Sequence, residues 1–133
     1  MKQLLILTTF LSSLIMTSLA NAEWTKVADA DSGNTIYVNL ERIKKHSGKV
    51  YFWWISDYGT PRKSGSISSK SYNEAECDRF RTRTLDYTYY RGPMGNGKIN
   101  SSNDNPEENW LYPHPNSILE HILKAVCNHK TMQ

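Results

Sequence analysis

The sequence holds only two cysteines in 133 residues, Cys77 and Cys127, and none in its first 22 positions. So few thiols leave little room for a zinc site: Cys127-Asn128-His129 is too tightly spaced, and His121 is the only further ligand nearby. The common catalytic signatures are also missing. There is no GxSxG elbow for a serine hydrolase and no HExxH for a zinc protease. Gly95-Asn96-Gly97 lacks the third glycine of a dinucleotide loop and follows no βαβ pattern, so it reads as a turn. Asp29–Asn34 resembles the start of a calcium loop, but it has Asn34 where the glycine belongs and no glutamate to close the loop. The four histidines, at 46, 114, 121 and 129, are scattered. Solvated or helix-capping roles are commoner for such residues than a metal or haem contact. A net charge of +3 does not demand nucleic acid. With no nucleophile-base pair and no metal triad, the chain reads as a non-enzyme with no metal site and no required cofactor.

Long apolar runs are absent too. Leu4 to Leu19 is interrupted by serines and threonines, follows Lys2, and ends at the small-x-small triplet Ala20-Asn21-Ala22. That is the pattern of a cleaved signal peptide over residues 1–22, and it is not that of a transmembrane anchor. The remainder, residues 23–133, is one domain by length. The cleavage point carries no cysteine, so no lipid anchor is expected there, and the chain is read as exported, periplasmic or secreted. In that setting an even pair of cysteines reads as a disulfide. Closing a loop of about 50 residues, it would contribute about 4 kcal/mol through chain entropy.

What the chain does have is aromatic residues, with four tryptophans and eight tyrosines. They concentrate in Lys49–Tyr58, KVYFWWISDY. With period two, Val50, Phe52 and Trp54 share one face, and Tyr51, Trp53 and Ile55 share the other. Both faces are apolar, so the strand belongs in the middle of a sheet with a cover on each side. One cover is the only clear helix. Ser117 opens it with a capping box to Glu120, and Ile118, Leu119, Ile122, Ala125 and Val126 form its apolar stripe. Cys127 would pin this helix to the sheet near Cys77. The uncovered face, carrying either Tyr51, Trp53 and Ile55 or Val50, Phe52 and Trp54, is the expected partner surface, with Tyr51, Trp53 and Ile55 taken as the interface set.

Further strands are expected at 23–27, 35–39, 64–76 and 78–91, with a 3₁₀ turn at 39–43 and an edge segment at 110–112. In the long strand, strict alternation puts Arg79, Arg81, Arg83, Leu85, Tyr87 and Tyr89 on one face, although its length calls for a bulge or bend. Two basic groups stand out as binding candidates. Arg62-Lys63 follows Pro61 in the loop after the aromatic strand, and Arg79, Arg81 and Arg83 line their strand. Such a surface suits acidic protein segments or sulfated glycans.

The order of these features resembles the bacterial surface-adhesin protein E family. The matching features run from Trp24 through Tyr37-Val38-Asn39-Leu40 to Ile43, then the aromatic strand at 50–58 and Arg62-Lys63. They continue with Cys77 before a long strand, Gly95-x-Gly97, the Pro-x-Ser helix start and Cys127. The resemblance implies an α+β fold, a single antiparallel sheet of about six strands with a C-terminal helix tied on by Cys77–Cys127, and a homodimer. It also implies adhesion to host matrix and plasma proteins such as vitronectin and laminin, a link to haem, and a role for the basic pair, here Arg62 and Lys63, in vitronectin contact. The family's characterised adhesin carries a lipid-attachment cysteine that this chain lacks. The expected function is therefore an exported binding protein that is periplasmic, secreted or surface-associated. The alternatives are a periplasmic accessory protein assembling through its aromatic sheet face, or a binder of haem or another small molecule in a dimer groove.

Overall fold

The computed structural model describes residues 23–130. The expected signal peptide, residues 1–22, lies outside the described residues. Seven strands form one antiparallel sheet: β1 (Thr25–Asp29), β2 (Thr35–Val38), β3 (Lys44–His46), β4 (Lys49–Asp57), β5 (Ser68–Glu76), β6 (Arg81–Tyr90) and β7 (Ile99–Asn103). The one α-helix among the described residues, α1 (Ile118–Cys127), follows. The strand order is β1-β2-β4-β5-β6-β7, with β3 also paired to β4.

The aromatic strand β4 lies inside the sheet, as its two apolar faces require. On one edge it pairs with β5 along most of its length. On the other it pairs with β2 through Trp54–Asp57 and with β3 through Lys49–Tyr51. The chain from Thr35 to His46 thus runs along β4 twice, broken by a 3₁₀ turn at Leu40–Arg42. Asn39 caps that turn by accepting a hydrogen bond from the Arg42 backbone N–H at 3.2 Å. The short strand β3 was not expected from the sequence. It exists because Ser47 and Gly48, with φ of 52° and 74°, make a two-residue turn between His46 and Lys49, the left-handed geometry that suits a tight hairpin.

The helix packs on the face of β4 that carries Val50 and Phe52. Ile122, Leu123 and Val126 are buried against Val50, Phe52, Ala75, Ile36, Val38 and Ile43. Leu123, fully buried, replaces Leu119 and Ala125 of the expected stripe, which are only partly buried. Ser117 caps the helix by accepting from the Glu120 N–H at 3.2 Å. Glu120 reaches back one residue further than a standard capping box, to the Asn116 N–H at 2.8 Å. Cys127 is bonded to Cys77 just after β5, with Cα atoms 5.7 Å apart.

β6 departs from the strict alternation read from sequence. Tyr72 pairs with Asp86 and Asn73 with Thr84, so Leu85 is an extra residue in a bulge. Arg81 and Arg83 stay on the face opposite the helix, while Tyr87 and Tyr89 fall on the helix face. Arg79 precedes the strand, in a turn where Phe80 has φ 47°.

Candidate binding surfaces

The Gly59–Ile67 loop joins β4 to β5 at the end of the sheet away from the helix. Within it a tight turn is closed by Arg62 N–H to the Ser66 carbonyl at 2.9 Å and Gly65 N–H to the Arg62 carbonyl at 2.8 Å. Gly65 has φ 85°, which a side chain would strain. This turn lays the Arg62 guanidinium over two rings, 5.4 Å from the centre of Tyr58 and 5.1 Å from that of Tyr89. Tyr58 is itself held by its hydroxyl, which donates to Ser69 Oγ at 2.9 Å. Hydrogen bonding to Tyr58, then to Tyr89, raises the Arg62 pKa above its ordinary value, so the cation is permanent. Lys63 is exposed beside it and has no ion-pair partner among the described residues. Pro61, Arg62, Lys63, Ser64, Tyr89 and Ser101 line an open concavity of about 690 Å³. Half-buried Tyr87, stacked edge-on to Tyr89 at 5.3 Å, extends this aromatic surface across the sheet.

The strand arginines are placed differently. Arg81 donates to Glu76 at 3.0 Å and to the Tyr112 hydroxyl at 3.0 Å, with its guanidinium 4.2 Å from the Trp110 ring centre. Arg83 pairs with Glu74 and lies 4.8 Å from the same indole. Arg79 is exposed and reaches Glu76 at 3.7 Å. Arg81 and Arg83 are therefore built into a packed cluster of indole and carboxylates and do not form an open cationic face. The loop and edge segment after β7 brings Trp110 there, with Leu111 bridging Thr82 on β6.

Glu74 is the buried member of this cluster, 3% exposed, with Lys49 at 3.4 Å as its second cation. Burial pushes its pKa up, but Arg83 and Lys49 outweigh burial and hold it below the ordinary 4.5. A carboxylate depressed in the folded state adds stability above its unfolded value, and that contribution is lost as pH falls through the folded value. Arg83→Ala, which leaves Glu74 buried with only Lys49, is expected to cost about 2 kcal/mol at pH 7. In Glu74→Gln the loss of stability below about pH 4.5 should flatten. Thermal unfolding of the wild type and both variants between pH 3 and 7 reads both effects, and an Arg83→Ala midpoint unchanged at pH 7 would refute the coupling.

The face opposite the helix holds Tyr51 and Trp53, both half-buried, with Tyr72 of β5 between them. The Tyr72 ring centre lies 4.8 Å from that of Trp53 and 6.3 Å from that of Tyr51. Ile55, expected on this partner surface, is instead fully buried. Its neighbour on β5, Lys70, carries the Trp24 ring on one side and Gly95 on the other, and the Pro93–Gly95 turn and Trp24 together seal that part of the sheet. The turn is anchored by Met94 N–H to Asp57 at 2.9 Å and Gly95 N–H to Ser68 Oγ at 2.8 Å.

Of the residues that form these surfaces, the sequence pointed to Arg62, Lys63, Tyr51 and Trp53. It missed Tyr58 and Tyr89 as the seat of Arg62, because the bulge that turns Tyr89 to the loop's side has no local signal beyond strand length. It also missed Trp110, whose only signal was an apolar triplet before Pro113. Among the described residues no cluster of His, Cys, Asp and Glu could hold a metal, and no helix is long and apolar enough to cross a membrane.

Comparison with known proteins agrees with this architecture. The structure of Haemophilus influenzae protein E superposes with a TM-score of 0.64 at 14% identity, covering 81% of this chain and 86% of that one. A second crystal form gives 0.62 at 15% identity, covering 81% and 90%. Protein E from non-typeable Haemophilus influenzae gives 0.57 at 15% identity, covering 84% and 78%. At these identities the likeness shows the fold. No curated protein matches the sequence. The family profile for surface-adhesin protein E matches residues 24–128. With nearly the whole described sheet and helix inside that match, the chain belongs to the surface-adhesin protein E family.

Proposed function

We propose that this chain is an exported, non-enzymatic adhesin whose contact with extracellular host protein runs through Arg62 and Lys63. The observation that carries this reading is the seating of Arg62. A permanent cation rests on Tyr58 and Tyr89, beside an exposed lysine with no ion-pair partner among the described residues, at the mouth of an open concavity. Arginine and tyrosine are the side chains that dominate protein–protein binding energy, because each buries a rigid surface while keeping a polar tip. A pre-positioned guanidinium loses little rotamer freedom when an acidic segment docks. Membership of an adhesin family supports the same reading. Arg79, Arg81 and Arg83 have at most a supporting part, since Arg81 and Arg83 already hold carboxylates.

The test is binding of the purified protein to immobilised vitronectin and laminin. The double charge reversal Arg62→Glu with Lys63→Glu should lower affinity at least tenfold, with the wild-type complex weakening as salt rises. Unchanged binding by a variant of wild-type thermal midpoint would remove the loop from the contact. No saturable binding of either protein by the wild type would remove the host-protein reading.

A further inference from the structure

Lys70 is a cation in the middle of an internal strand, and it has no carboxylate partner among the described residues. Its stem passes under Gly95, where a Cβ would come within 2.3 Å of Lys70 Cε. Its ammonium lies 5.8 Å from the Trp24 ring centre and 5.7 Å from that of Tyr90. Cation–π contact offsets part of the cost of leaving water, but it supplies no anion. This ammonium borders a cavity of about 240 Å³ that is walled by Trp24 and Trp53 and closed by Glu23, Asn39 and Arg42. The polar groups of that rim engage one another. Glu23 Oε1 accepts from Asn39 Nδ2 at 2.9 Å and forms an ion pair with Arg42 Nε at 2.6 Å, and Glu23 Oε2 has no partner among the described residues. Arg42 and Trp53 also form one wall of a neighbouring hollow of about 540 Å³ that reaches Lys44 and Tyr72.

From this arrangement we propose that the Trp24–Trp53–Lys70 cavity is a binding site for an acidic sugar, a pyranose ring that carries a carboxylate. Two indole rings suit the flat C–H faces of a pyranose. Lys70 answers the carboxylate. Glu23 Oε2 accepts from a ring hydroxyl, a role that a ligand without hydroxyl donors could not fill. This pairing of one lone cation with one free carboxylate oxygen between aromatic walls favours a polyhydroxylated acid over an acidic peptide. The adjoining hollow leaves room for a second sugar ring. The site lies on the sheet face opposite Tyr58 and Tyr89, so it is independent of the Arg62–Lys63 contact.

Isothermal titration of the purified chain with glucuronic acid and with glucose tests the assignment. Glucuronic acid should bind saturably, at least tenfold more tightly than glucose. Lys70→Met, which keeps the apolar stem, should abolish that preference while leaving the thermal midpoint near wild type. Trp53→Ala should weaken both sugars, and because Trp53 is half exposed this variant gives a second reading if Lys70→Met fails to fold. The assignment is overturned if neither sugar binds up to tens of millimolar, if glucose binds as well as glucuronic acid, if folded Lys70→Met retains the preference, if Trp53→Ala binds like wild type, or if a glutamate-rich peptide displaces glucuronic acid at lower concentration than glucuronic acid itself requires.

Discussion

Replacing Cys77 and Cys127 together by serine is expected to lower the unfolding free energy by about 4 kcal/mol and the thermal midpoint by roughly 15 °C. The bond closes a loop of 50 residues that contains the end of β5's hairpin, all of β6 and β7, and the helix. Without it the denatured chain gains the freedom of that whole loop. The folded chain would lose little contact, because the cysteines are only partly buried and pack at the margin of the core. The helix is a short element, and an isolated helix of this length is marginal in water. Most of its hold on the sheet is then the contact of Ile122, Leu123 and Val126. Calorimetric melting of the double-serine chain, compared with the oxidised wild type, measures the effect. A midpoint within a few degrees of wild type would show that helix packing alone secures this end of the molecule. Treating the wild type with reductant should reproduce the double-serine melting curve.

The second large effect concerns the packing itself. Phe52→Ala is expected to cost about 3–5 kcal/mol. Phe52 is fully buried at the centre of the sheet, lies 5.9 Å from Trp54 ring to ring, and belongs to the cluster that the helix covers. Its neighbours cannot collapse into the vacancy. Val38 and Val50 are held by sheet hydrogen bonding, and the helix is tethered through Cys127, so most of the cavity would persist. Trp54→Ala, on the same face but only half-buried at the helix's far margin, should cost clearly less. Equilibrium urea unfolding of the two variants orders them. Equal losses would mean that the helix end of the sheet is no better packed than the exposed end.

Much of the architecture was legible along the chain, for local reasons. Period-two hydrophobicity on both faces of Lys49–Tyr58 can be satisfied only inside a sheet, and β4 is there, paired on both edges. Ser117 and Glu120 announced a helix start that the structure places at Ile118, because unsatisfied N–H groups at a helix end attract those side chains. The pairing of Cys77 with Cys127 followed from there being only two cysteines in a chain read as exported, and the structure contains that bond. The choice of helix-facing side was not legible. Both faces of β4 are about equally apolar, and the decision rests on where a helix some 70 residues later comes to lie.

The candidate sites were less legible. Arg62 and Lys63 could be singled out as a basic pair in a turn-rich loop, since a loop after proline is exposed by its own chemistry. That Arg62 rests on Tyr58 and Tyr89 depends on a single extra residue, Leu85, which switches the side-chain alternation of β6. Arg81 and Arg83 looked like Arg62 in sequence and were set apart only by partners from distant elements, Glu74 and Glu76 on β5 and Trp110 beyond β7. Ile55 alternated with Trp53 and yet is sealed by Trp24 and the Pro93–Gly95 turn, segments far apart in the sequence.

The sequence by itself determined the elements, the covalent staple and the central place of the aromatic strand, because each follows from the chemistry of neighbouring residues. Only the tertiary structure decided which charges stay free and which aromatic rings stay open. Freedom of a charge and exposure of a ring depend on partners brought from elsewhere in the chain, and that information is not local.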